Sequence, residues 1–168
     1  IKEIIGFTIF GTSIIFLYLM SGIYHILPPG KYRKIFKILD HSAIYVLISG
    51  SYTPFLLLLS GAIGWIILGI QWTLTTLGII FKIKFVGKFP LLSTFIYLFM
   101  GWMIVFAFGN LKAHLNPTSL NLLIDGGILY SVGAIFYSIE KIKYSHIIWH
   151  FFVIGGTTLH YLAVYNSI

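Results

Sequence analysis

"HSAIYVLISGSYTPFLLLLSGAIGWIILGIQWTLTTLGIIF", residues 41–81, contains no Lys, Arg, Asp or Glu. A hydrocarbon core about 30 Å thick takes about 20 helical residues, so this stretch is long enough for two crossings. Ser60-Gly61, near its middle, is the turn that divides them into Ser42–Leu59 and Ala62–Phe81. Outward from there, charges and turn residues cut further spans at Ile4–Leu27, Pro90–Phe108, Ser119–Ile139 and Tyr144–Asn166. The first of these stops at Pro28-Pro29-Gly30. Aliphatic runs of this length cannot be open strands in lipid, where only a helix satisfies its own backbone. The sequence predicts an all-α, polytopic bundle of six transmembrane helices, a single integral membrane domain over residues 1–168.

Composition agrees along the whole length. The chain is 58% hydrophobic and 9% charged, with mean hydropathy +0.97, which excludes an ordinary soluble domain. It has no cysteine, which rules out disulfides and thiolate metal sites. The first apolar run is too long for a cleaved signal peptide and lacks a small-residue cleavage site. The chain starts at Ile1 rather than Met, which suggests a lost N-terminus.

The net charge of +7 follows the loops. Lys31, Arg33, Lys34 and Lys37 follow the first helix, Lys82, Lys84 and Lys88 the third, and Lys141 and Lys143 the fifth. Only Lys2 and Lys112 lie on the other face, so nine of the eleven basic residues share one side. The positive-inside rule makes that side cytoplasmic. The expected setting is a multi-pass protein of the cell membrane whose basic loops meet anionic headgroups. No nucleic-acid motif accompanies the charge, and no nucleic-acid partner is expected.

Ionisable residues within such spans mark function by default. His146 and His150 are four residues apart and share a helical face, a spacing that suits two imidazoles on one metal ion. Ser21 and His25 close the first helix with the same spacing, and Asp40 and His41 open the second. His25, Asp40, His146 and His150 thus fall at one membrane depth from three helices, although the topology used only Lys and Arg. Three imidazoles beside a carboxylate fit catalytic zinc, with three protein ligands and an open position for water. Asp40 would take that water's proton or be an outer ligand, and Ser21 would hold the water or a substrate carbonyl.

A lone membrane histidine is ordinarily a hydrogen-bonding residue between helices, and that reading holds for His41, about 100° round the helix from Asp40. His160 is ten residues past His150, about 15 Å along the axis. It is read as a packing or cavity residue. His114 reads as solvated in an outer loop, and Asp125 as either a packing acid or a pocket residue. Pro54 falls mid-helix and should kink it, with the Ser51 and Thr53 hydroxyls meeting freed carbonyls.

Five stretches together resemble the hemolysin III proteins, the bacterial branch of the progestin and adiponectin Q receptor family. They are "SGIYH" (21–25), "LDHSAIYVLISGSYTPF" (39–55), "FIYLFMGW" (95–102), "GGILYSVGAIFY" (126–137) and "HIIWHFFVIGGTTLHYLAV" (146–164). The resemblance runs through nearly the whole chain, with the motifs in family order. It implies a seven-helix fold of which this chain is similar to helices two to seven. It also implies Zn2+ on His25, His146 and His150, with Asp40 reaching the metal through water and Ser21 as the serine of the Ser-x-x-x-His motif. In function the resemblance points several ways. Superfamily relatives, including alkaline ceramidases, hydrolyse lipid amides, while the bacterial branch is named for haemolysis and linked to membrane lipid homeostasis. A shared fold does not choose among these. The leading expectation is an intramembrane zinc hydrolase of a lipid amide or ester, its substrate entering the bundle from the membrane lipids. A non-enzymatic lipid-homeostasis regulator with structural zinc, and a pore-forming haemolysin, are the alternatives.

Overall fold

A computed structural model describes residues 1–139 and 143–167. Lys141, one of the basic loop residues, lies outside them. The described residues are helical, with α1 Lys2–Ile26, α2 Lys31–Leu58, α3 Ala62–Phe85 and α4 Pro90–Trp102. A 3₁₀ turn, Met103–Ala107, then leads into α5 Phe108–His114, followed by α6 Pro117–Ser138 and α7 Ser145–Tyr165. Since α4, the turn and α5 form one span, six helices among the described residues are long and apolar enough to cross a membrane.

The helices begin and end where backbone chemistry allows. Pro28 and Pro29 follow α1 and cannot extend it. Gly61 turns the chain between α2 and α3 at φ 80, a left-handed value that favours glycine. Pro117 opens α6 where no backbone N–H is needed, and the Asn116 side chain accepts from Ser119 N at 2.8 Å to cap it.

Two boundaries depart most from the sequence reading, and α3 also runs on to Phe85 rather than Phe81. The helix α2 starts at Lys31 rather than Ser42, because basic side chains with long stems continue a helix into the headgroup layer. The fourth span runs to His114 rather than Phe108. His114 therefore ends a helix, its Nδ1 donating to Asn110 O at 2.8 Å, and it is exposed there.

Residues Ile1–Phe89 and Pro90–Ile168 form two compact units. In the first, α2 packs against both α1 and α3. Pro54 lies on Gly6 and Gly50 on Ser13, so α1 and α2 run antiparallel. A Cβ on Gly6 would come within 2.7 Å of Pro54 Cα, so the glycine lets the proline-bearing helix close in. The Ser51 and Thr53 hydroxyls do bond carbonyls, those of Ile48 (2.9 Å) and Ser49 (2.8 Å), rather than that of Gly50, which the proline leaves without its usual donor.

The α2–α3 seam is polar and buried. Ser49 Oγ and Thr75 Oγ1 are 2.6 Å apart, Ser49 also bonds Gln71 O at 3.1 Å, and Thr75 bonds Tyr45 O at 3.1 Å. Outward, α3 shows Trp65, Ile66, Ile70, Leu77 and Ile80. Polar inside and apolar outside is the arrangement of a helix bundle solvated by lipid.

In the second unit, α6 pairs with α7, and Trp102 at the end of α4 donates from Nε1 to Ser131 Oγ on α6 at 2.9 Å. Among the described residues α6 and α7 run antiparallel, because Leu123 meets His160, Tyr130 meets Thr157 and Tyr137 meets His146.

Candidate metal centre

The first unit brings together the last turns of α1 and the early part of α2. The Ser21 hydroxyl is in hydrogen-bonding reach of the Asp40 carboxylate, and His25 is close enough to act on that carboxylate electrostatically. The antiparallel pairing of α1 and α2 produces this, since a short connection, 27–30, folds α2 back along α1. Asp40 is half-buried, and His25 is exposed one turn beyond Ser21. Beside His25 stands Tyr24, ring centroids 4.8 Å apart, and Arg33 lies over the Tyr24 ring at 5.5 Å. Sequence reading passed over Tyr24 and counted Arg33 only as a topological charge. Its signal was adjacency in "SGIYH", but tyrosine is too common in membrane helices to stand out.

The second unit supplies the paired imidazoles. Tyr144, at φ 65, turns the chain into α7, so that His146 and His150 stand on the first two turns. Their Nε2 atoms face each other at 3.1 Å, with the ring planes 88° apart. Tyr137 of α6 lies 6.0 Å from the His146 ring and 5.4 Å from that of Trp149, backing the pair from the neighbouring helix.

These donors fit a metal. Zinc bonds imidazole nitrogen at about 2.0–2.1 Å in tetrahedral geometry, which sets two ligand nitrogens on adjacent corners about 3.4 Å apart. The 3.1 Å between His146 and His150 is close to that edge. The pair makes an N–H···N contact, and a cation bound there would take the place of that proton.

Within its unit His160 is buried and bonds Leu123 O, the packing alternative of its reading. Asp125 is exposed, and His41 is half-buried one position after Asp40.

The helices and their charges define a polytopic membrane protein. Comparison with known proteins gives its kind: the Haemolysin-III related family matches residues 1–161, and the chain belongs to that family. It is 50% identical to Hemolysin-3 of Bacillus cereus over 97% of this chain and 75% of that protein. It is 52% identical to the Hemolysin-3 homolog of Bacillus subtilis over 96% of this chain and 76% of that one. A more distant relative, the human monocyte to macrophage differentiation factor, is 28% identical over 94% of this chain and 68% of its own length. No solved structure matches significantly.

Proposed function

We propose that the chain is a zinc-dependent hydrolase of an amide or ester bond in a membrane lipid, with its site on the cytoplasmic side. Its proposed ligands are His25 and the His146–His150 pair, the three imidazoles that the resemblance to the family implies. The observation that carries this reading is the convergence of His146 and His150 to 3.1 Å between nitrogens.

A zinc ion bound there would supply Lewis acidity and make water acidic enough to lose a proton near neutral pH. Asp40 accepts the water's proton and delivers it to the departing amine or alkoxide. The Ser21 hydroxyl donates to one carboxylate oxygen, which orients Asp40 and leaves the other oxygen for the proton.

The test is turnover of ceramide and acyl-lipid by zinc-loaded protein in liposomes. Asp40→Asn should keep the metal and lose turnover by at least ~100-fold, the usual scale for a general base. Turnover unaffected by Asp40→Asn would reject Asp40 as that base.

The name Hemolysin-3 carried by both bacterial relatives favours a second reading, membrane lysis by pore formation. Dye release from lipid vesicles of fixed composition at defined protein doses, with no lipid consumed, is its signature. Zinc-dependent thermal stability with neither turnover nor leakage would instead indicate a regulator that uses the metal as a clamp.

A further inference from the structure

His160 has no part in the chemistry proposed above, yet it is among the most enclosed polar side chains of α7. It is 7% exposed, and its Nε2 faces the Leu123 carbonyl oxygen of α6 at 3.1 Å. A ring nitrogen facing a carbonyl must carry the proton, so Nε2–H donates across the helix pair. Nδ1 is buried and has no hydrogen-bond partner among the described residues. The ring gives up half of its hydrogen-bonding capacity to make this single contact, a cost that a plain packing role does not require.

The surroundings fix where that contact can form. Gly126, one turn after Leu123 on α6, sits under the ring, and a Cβ there would overlap His160 Cδ2. One turn before His160, Gly156 receives the ring of Tyr130, where a Cβ would lie 2.9 Å from Cδ2. Each helix thus sets a ring over a glycine of the other. The two rings meet edge-on with centroids 5.3 Å apart. Thr157 spends its hydroxyl proton on Val153 O at 2.8 Å, so the Tyr130 hydroxyl donates to Thr157 at 2.7 Å. A slip of one residue would move α7 by about 1.5 Å and turn it by about 100°. In either direction one of the two rings would then meet a position that carries a side chain, Tyr130 at Thr157 or His160 at Asp125.

We infer that His160 is a positioning residue, locking α7 on α6 in one register and rotation and so setting the direction in which His146 and His150 point. His146 and His150 precede it by fourteen and ten residues on the same helix, about 21 and 15 Å along its axis. Metal ligation tolerates only about 0.2 Å of misplacement, so a one-residue slip, which leaves the two rings paired on α7, turns the pair out of the direction that the present register gives it. The inference rests on the metal reading for its consequence but not for the lock itself.

The test uses the full chain, whose lack of cysteine allows clean labelling. Ile135→Cys and Ile147→Cys, at exposed positions of α6 and α7, take spin labels whose separation reads the register without metal. Cobalt(II) titration reads the ligand pair through affinity and visible absorption. His160→Leu should broaden or shift the label distances and weaken cobalt binding about 10–100-fold, the scale for lost ligand support. His160→Gln, whose amide nitrogen replaces Nε2, should restore both. Gly126→Ala should reproduce the leucine variant. His160→Asn, too short to reach Leu123, preserves the comparison if the leucine variant does not fold.

Unchanged distances in folded His160→Leu or His160→Asn overturn the lock. Shifted distances with unchanged cobalt binding overturn its link to the ligands. An unsubstituted chain that takes up no cobalt defeats the metal reading, and the labels alone then decide the lock.

Discussion

Ser21 and Asp40 make separable contributions at the residue scale. The Ser21 hydroxyl bonds the carboxylate of Asp40. Ser21→Ala should therefore leave metal content unchanged and lower lipid turnover about tenfold, the lower end of what removing a supporting partner costs. Equal metal loss in Ser21→Ala and His150→Ala would place the serine in the coordination sphere instead. The pairing of His146 with His150 was legible in the sequence, because a four-residue spacing on a helix leaves little geometric freedom. The Ser21–Asp40 contact was legible only as a shared depth. Which atoms meet depends on how α1 and α2 rotate against each other, and one sequence does not encode that directly. Tyr24 and Tyr137, which back the histidines, were not legible at all, since aromatics are frequent throughout such helices.

Among the elements, small residues and hydroxyls set how closely the helices approach. A Cβ on Gly78 of α3 would come within 2.6 Å of the Tyr45 ring of α2. Gly78→Ala should therefore destabilise the protein by about 1–3 kcal/mol, the cost of overpacking a filled site, read by unfolding in detergent. The Ser49–Thr75 contact at 2.6 Å should give a coupling of about 0.6–1.7 kcal/mol in a double-mutant cycle of Ser49→Ala and Thr75→Val. A coupling of zero would mean that the seam is held by packing alone. All six spans were readable from charge-free length. Their ends were less so, because hydropathy marks where lipid stops and not where backbone hydrogen bonding stops. Lys31–Leu39 therefore read as a loop yet coils as the start of α2. Pro54 read correctly as an intrahelical residue, but its partner Gly6 was hidden, since contact between α1 and α2 at that level is a matter of register.

The whole molecule is a haemolysin-III family membrane protein, and its proposed sidedness follows from nine basic loop residues on one face. The absence of native cysteine makes this testable residue by residue. Lys34→Cys and Lys88→Cys should react with an impermeant maleimide only after the cell membrane is opened, whereas Gly61→Cys and Asn116→Cys should react in intact cells. The reverse pattern would move the candidate site to the outer face. Class and family were legible because membrane composition and ordered motifs are properties of the chain itself. Activity was not, since a fold of this kind serves several functions. The central proposal is that His25, His146 and His150 hold one metal ion together, and metal analysis of the purified chain tests it most directly. One zinc per unsubstituted chain, lost in His146→Ala with helical content retained, is the predicted result. A folded chain that takes up no zinc when zinc is supplied, or a His146→Ala variant that retains it in full, would contradict the account.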